Sequence, residues 1–128
     1  MQTYKFSVKV EPQYSAEHSD PAADSYFFTY TITIKNEGEL PAQLISRHWY
    51  IVDANGRTEE VKGLGVVGQQ PLLKPGEAFE YTSGCRLQTP SGAMRGSYFC
   101  MAVDGEHFDT PIEEFILIAD TPNARVLH

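Results

Sequence analysis

The chain has 128 residues, enough for one domain to bury a hydrophobic core without a metal or a disulfide. Its formal charge of −7 argues against a protein that binds nucleic acid over a broad surface, because neutralisation of phosphates by Lys and Arg dominates that affinity. Its apolar runs are a few residues long, whereas a membrane-spanning helix needs about 20.

The N-terminal segment predicts a first strand. Apolar and polar residues alternate in TYKFSVKV, so that Tyr4, Phe6, Val8 and Val10 share one face. No basic region followed by an apolar stretch is present, so we expect no signal peptide and a cytoplasmic protein. The polar, proline-containing segment 11–24 is expected to be a mobile loop.

Alternation continues through the middle of the chain. Every second residue from Tyr26 to Ile34 is aromatic or β-branched, which is typical of a half-buried strand. A β-hairpin is predicted from strands 42–52 and 57–61, joined at the Asn-Gly turn of DANG.

One strand of this hairpin raises a question about charge. Arg47 has the same parity as Trp49, the expected core aromatic. If Trp49 faces the core, Arg47 must reach the sheet edge, sit beside a bulge, or bury its charge with a partner.

The C-terminal half predicts further strands. Phe79, Tyr81, Ser83 and Cys85 share one face of a strand, and a later hairpin turns at the Asp-Gly of VDGE. The tail 121–128 is expected to be loosely held.

Together the elements predict one all-β domain over residues 1–128. No amphipathic helix of 10 or more residues is present. Seven or more short strands favour an antiparallel β-sandwich of the immunoglobulin or fibronectin III type, with a closed barrel as the alternative.

Gly63, Gly65 and Gly68 carry the spacing G-x-G-x-x-G, which marks a dinucleotide site when it joins a strand to a helix. Pro71 and Pro75 follow closely, and Pro is costly inside a helix. We therefore expect no helix N-terminus that would receive a phosphate. The glycines are interpreted as residues of a turn or of a close backbone contact at a sandwich edge.

A weaker phosphate hypothesis remains open for the same loop. Successive backbone N–H groups form an anion-binding nest in some loops without any helix. Arg47, His48, Lys62 or Lys74 would then supply the counter-charge.

No catalytic or metal site is indicated by the residue spacing. The serines and cysteines lack a local nucleophile motif, and the histidines lack metal-ligand spacing. Cys85 and Cys100 are expected to be reduced thiols. We therefore expect no enzyme and no cofactor.

Five motifs occur together and in order: Arg47-His48-Trp49, Gly63-x-Gly65-Val66-Val67-Gly68, Gln70-Pro71, Tyr81-Thr82-Ser83 and Met94-x-Gly96-x-Tyr98. With them the chain resembles the ApaG family from about residue 26 to residue 117. The resemblance implies a fibronectin III-like sandwich in a small bacterial cytoplasmic protein whose molecular activity is not firmly established. It also implies a loose link to cobalt resistance and magnesium efflux, and a gene neighbouring one for diadenosine tetraphosphate hydrolysis. In eukaryotic F-box proteins and a DNA polymerase-interacting protein, the domain's expected role is protein–protein contact.

Our main expectation is a non-catalytic protein-interaction domain, whose partner surface combines Arg47, His48, the loop 63–68 and the strand from Tyr81 to Ser83. The alternative is a binder of nucleotides or pyrophosphate, diadenosine polyphosphates included, which the family's glycine motif suggests. A third hypothesis, cobalt or magnesium binding by acidic pairs such as Glu59-Glu60, rests on the family link and total acidity. Neither the partner nor the oligomeric state follows from the sequence.

Overall fold

The computed structural model describes residues 3–119, so the predicted tail 121–128 lies outside the described residues. Its strands are β1 (Phe6–Asp20), β2 (Ser25–Asn36), β3 (Ala42–Asp53), β4 (Thr58–Leu64), β5 (Leu72–Leu73), β6 (Ala78–Leu87), β7 (Ser91–Ala102) and β8 (His107–Ile118). A single turn of 3-10 helix, Pro21–Ala23, joins β1 to β2. Within this range no helix is long and apolar enough to cross a membrane.

The strands form two antiparallel sheets. One sheet has the order β1-β2-β6, and the other has the order β4-β3-β7-β8 with β5 also paired to β3. The predicted antiparallel β-sandwich is therefore confirmed. The alternative of a closed barrel is wrong, because the described strands divide into two separate sheets. The finer assignment to the immunoglobulin or fibronectin III type stays a prediction.

The segment expected to be a loop over 11–24 is mostly strand, so that prediction is wrong. β1 continues to Asp20 and pairs with β2 residue by residue as far as Ser15, after which the register is irregular. The ring of Tyr14 lies 5.4 Å from that of Phe28 in the core. Pairing with a long aromatic strand outweighs the local turn preference of the polar and proline residues.

A bulge in β3 answers the question raised by Arg47. Leu44 pairs with Cys100 and Ser46 with Phe99, so Ile45 is an extra residue in the ladder. The inward parity therefore changes, and Leu44 and Trp49 are both buried. Arg47 shares the inner face with Trp49, beside the bulge, and is partly buried.

The core lies between the two sheets, with Trp49 near its centre as predicted. The ring of Trp49 is 5.6 Å from that of Tyr30 and 6.0 Å from that of Phe115. One lateral side of the sandwich closes where β1 packs against β8, through Phe6 and Phe108 at 5.4 Å. The opposite side, between β4 and β6, holds a cleft.

Candidate binding cleft between β4 and β6

The cleft has a volume of about 450 Å³ and opens along the edges of β4 and β6. Its apolar wall comes from Trp49, Ile51, Val61 and Val66. Its polar lining includes Arg47 from one sheet and Tyr30, Tyr81 and Ser83 from the other. A concave surface that combines apolar walls with a few converging polar groups is a common form of binding site.

The side chain of Arg47 extends from β3 over β4 to the glycine loop 63–68. Its Nη1 donates to the carbonyl oxygen of Leu64 at 3.0 Å and to that of Gly65 at 2.9 Å. Gly63 is its partner in the ladder, and the guanidinium occupies the place where a side chain at position 63 would lie. Gly63 therefore serves to make room for a charged side chain.

Gly65 and Gly68 hold the turn that follows β4. Gly65 has a φ of 65°, and a Cβ there would collide with the carbonyl oxygen of Gln69. Val66 and Gln69 exchange two backbone hydrogen bonds of 2.8 and 2.9 Å across the turn. Between them Val67 and Gly68 have φ values of 43° and 79°. Left-handed backbone at two central residues is the pattern of a type I′ turn.

The same hydrogen bonds engage most of the N–H groups that an anion-binding nest in this loop would use. The N–H of Gly65 donates to the carbonyl oxygen of Ile45, and those of Val66 and Gln69 donate to each other's carbonyl oxygens. Only the N–H groups of Val67 and Gly68, at the tip of the turn, make no hydrogen bond within residues 3–119. The interpretation of the glycines as turn and close-contact residues agrees with this geometry.

The hydroxyl groups at the cleft are held neutral by their surroundings. Burial raises the pKa of Tyr30, while a hydrogen bond from Ser83 and the charge of Arg47 oppose that rise. Burial raises the pKa of Tyr81 to about 12. The Tyr81 hydroxyl lies 2.5 Å from that of Tyr98, which joins the two sheets across the core.

His48 and Lys62 lie on the other side of β3 and β4 from this site. They are neighbours in the ladder, one residue away from the pair of Arg47 and Gly63, and alternation directs them to the outer face. The His48 ring hydrogen-bonds to Glu60, and the Nζ of Lys62 lies 3.7 Å from the same carboxylate. The hydrogen bond from His48 is the main cause of the lowered pKa of Glu60. His48 and Lys62 therefore do not line this cleft, but they line a second depression on the outer face together with Arg47 and Gly63. The hypothesis that these side chains supply counter-charge to a phosphate stays a prediction.

Both cysteines are free thiols. Cys85 lies at the cleft, and Cys100 is buried in the core. Burial raises the pKa of each thiol to about 11, so neither is a reactive thiolate near neutral pH. In the described part of the chain, no three His, Cys, Asp or Glu residues are grouped to hold a metal ion.

The structure brings together Arg47, Tyr81, Ser83 and the turn after Gly63, as the sequence indicated. It adds Tyr30 and Val66, which sequence reasoning did not single out as site residues. Tyr30 could have been found from the sequence, since it lies in an alternating strand and pairs with Ser83 of another alternating strand. Val66 could not have been found from the sequence, because its burial depends on how the turn folds back over the cleft.

These features define an antiparallel β-sandwich domain with one open lateral edge. The chain belongs to the ApaG family, since the model of the ApaG domain matches residues 16–102. It is 63% identical to the ApaG protein of Acidovorax sp. (strain JS42) over the full length of both chains. It is 57% identical to the ApaG protein of Ralstonia nicotianae, covering 91% of this chain and 94% of that one. A crystal structure of the ApaA protein from Bordetella pertussis superposes with a TM-score of 0.91 at 55% identity, covering 93% of this chain and 97% of that one.

Proposed function

We propose that this protein is a non-catalytic binding domain that takes an apolar segment of a partner protein into the cleft between β4 and β6. The observation that carries the proposal is the cleft itself, with apolar walls and exposed apolar side chains at its rim. Leu64 is 75% exposed and Val67 is 53% exposed. Apolar groups clustered beside a concave site are typical of protein interaction surfaces.

The shape of the site also supports a partner over a small phosphate ligand. The N–H groups of Gly65 and Val66 are already bonded to backbone carbonyls, and His48 and Lys62 face away from the cleft. Pyrophosphate binding through the loop 63–68 is therefore the weaker alternative. The cytoplasmic location and the absence of catalysis stay parts of the same proposal.

The proposal is tested by photocrosslinking in cells. A photoreactive phenylalanine analogue replaces Leu64 in one variant and Ile118 in another. Ile118 is a matched control, since it is 65% exposed but lies on β8, an edge strand of the same sheet away from the cleft. We expect a discrete covalent protein adduct from position 64 and none from position 118.

The crosslinked partner is then purified and titrated against the wild type, Leu64→Asp and Ile118→Asp. We expect Leu64→Asp to weaken binding by roughly tenfold or more, as for a central interface residue. Equal affinities for the two variants would refute the cleft as the interaction site.

A further inference from the structure

Arg47 is a charged group at the cleft that has no ionic partner among residues 3–119. The chain carries 17 acidic and 10 basic residues other than histidine, so carboxylates are plentiful. The ion pairs of the described residues nevertheless join Lys9 to Glu11, and His48 and Lys62 to Glu60. The guanidinium of Arg47 instead meets only backbone carbonyls, through Nη1.

The remaining donors of Arg47 are available to a ligand. A guanidinium presents five N–H groups in a planar fork, and the two carbonyls engage only Nη1. Within residues 3–119 no hydrogen bond engages its Nε or Nη2. The two bonds at Nη1 and the packing on Gly63 fix the plane of the guanidinium. A fork that is already oriented is suited to a bidentate contact with a planar anion.

Hydroxyl groups stand on the opposite wall. Tyr30 and Ser83 are directly paired between β2 and β6, and both line the cleft with Arg47. Tyr81 lines the same cleft beside Ser83. The one inner-face carboxylate of β4, Glu59, lines a separate depression beside Asp53 and Arg57.

We propose that the cleft is a carboxylate-binding site, in which Arg47 is the cation, Tyr30 and Ser83 supply hydroxyl contacts, and the wall around Trp49 receives an adjoining apolar group. This inference rests on the proposed function and names the chemistry of the partner. The carboxylate comes either from the C-terminus of a peptide or from an Asp or Glu side chain beside an apolar residue. The planar fork accepts a carboxylate or a phosphate, and the apolar wall favours an anion that carries an adjoining apolar group, as a peptide carboxylate does.

The test uses Trp49 as an internal reporter, since it is the only tryptophan of the chain and lines the cleft. The whole protein is titrated with N-acetyl-phenylalanine and with its uncharged amide, while the tryptophan fluorescence and the amide NMR spectrum are recorded. We expect the acid to bind at least about tenfold more tightly than the amide, because a charge-assisted bidentate contact is lost in the amide. Shifts are expected at Val66 and Ser83. Equal binding of acid and amide, or no binding of either, would overturn the inference.

Two short peptides then distinguish the sources of the carboxylate. One is Ac-Ala-Ala-Phe with a free C-terminus, and the other is Ac-Ala-Glu-Phe-Ala with an amidated C-terminus. Tighter binding of the first assigns a C-terminal carboxylate, and tighter binding of the second assigns a side chain. Inorganic pyrophosphate serves as the competing anion, and a preference for it over both peptides would overturn the carboxylate assignment.

Three substitutions locate the contact. Arg47→Met is expected to abolish the preference for the acid, and Tyr30→Phe, which keeps the ring, is expected to weaken it severalfold. Arg95→Met is the matched control, because Arg95 lies over the ring of Tyr50 on the outer face, 4.4 Å from its centre. An equal loss in Arg95→Met, or an unchanged preference in both Arg47→Met and Tyr30→Phe, would refute the site.

The outcomes separate this inference from the proposed function. If Leu64→Asp loses the crosslinked partner while acid and amide bind alike, the interaction role stands and the carboxylate site fails. If the acid is preferred but Leu64→Asp does not change the affinity for the partner, the carboxylate site stands and the cleft is refuted as the site of the protein interaction.

Discussion

Gly63 lies directly under the guanidinium of Arg47. A Cβ at position 63 would come within 2.7 to 2.8 Å of three guanidinium atoms, closer than packed atoms approach. This contact explains why position 63 is a glycine, since the side chain of Arg47 on the neighbouring strand fills the space that a side chain at position 63 would need. It also means that the orientation of Arg47 depends on a residue that has no side chain.

Gly63→Ala is therefore expected to displace Arg47 and to destabilise the fold by no more than about 1 kcal/mol, because the guanidinium moves aside and its bonds to the two carbonyls weaken. Urea unfolding measures the change. In the double variant with Arg47→Met the methionine can move aside, so the effect of Gly63→Ala should largely disappear. Additive effects of the two substitutions would contradict the assigned contact.

Val67→Gly is expected to stabilise the protein by about 1 kcal/mol. Val67 has a φ of 43°, a left-handed backbone that is unfavourable for a β-branched residue. Glycine adopts this conformation without strain, although part of the gain is lost to its flexible unfolded state. Thermal unfolding tests this, and a lower melting temperature for Val67→Gly would contradict it.

The position of Val67 links that strain to the proposed interaction. It is exposed at the tip of the turn and lines the cleft. We expect Val67→Gly to bind the crosslinked partner more weakly while it unfolds at a higher temperature. Strain in a turn is often kept where it serves binding.

Asn36→Ala is expected to destabilise the fold by roughly 2–4 kcal/mol. The buried Asn36 side chain donates to the carbonyls of Leu40 and Leu73 and accepts from the N–H of Gly38. Its loss leaves buried backbone groups unsatisfied. The matched control is Asn55→Ala, at an exposed turn position, which should change the urea midpoint little.

Alkaline pH is expected to lower the free energy of unfolding, because two buried tyrosines ionise more readily in the unfolded chain than in the folded one. The pKa of Tyr81 is raised from 10.0 to about 12 by burial, and that of Tyr98 is raised further in the same direction. The unfolded chain loses these protons first, so the stabilisation is complete below pH 10.0 and declines as the pH rises toward about 12. Each such tyrosine contributes about 1.4 kcal/mol per pH unit in this window.

Urea unfolding at neutral pH and above pH 10.0 measures this effect. Tyr81→Phe, which keeps the ring but cannot ionise, should show a shallower decline than the wild type. A midpoint that does not move across this range in the wild type would contradict the assignment.

Alternation in the sequence predicted most of the fold. The strands around Trp49 and Tyr81, the hairpins and the absence of a helix after Gly68 all follow from residue patterns that local physics enforces. β1 was predicted too short, because its polar and proline residues favour a loop until β2 is available as a partner. The pairing of β1 with β2 is a tertiary interaction, which the conformational preferences of single residues do not predict.

The candidate site was predictable in its residues but not in its assembly. Arg47 stood out as a charge in an apolar strand, yet its surroundings depend on the bulge at Ile45, whose effect appears only when β3 is paired with β7. The glycine spacing indicated a turn correctly. That Gly63 accommodates a guanidinium, and that His48 faces away, require the register of β3 against β4.

The contact between the hydroxyls of Tyr81 and Tyr98 has a consequence for how the sandwich responds to chemical stress. Tyr81 belongs to β6 and Tyr98 to β7, so this polar contact joins the two layers through hydroxyl groups and not through sulfur. Reductants cannot break it. This contact between the layers is therefore independent of the thiol redox potential around the protein.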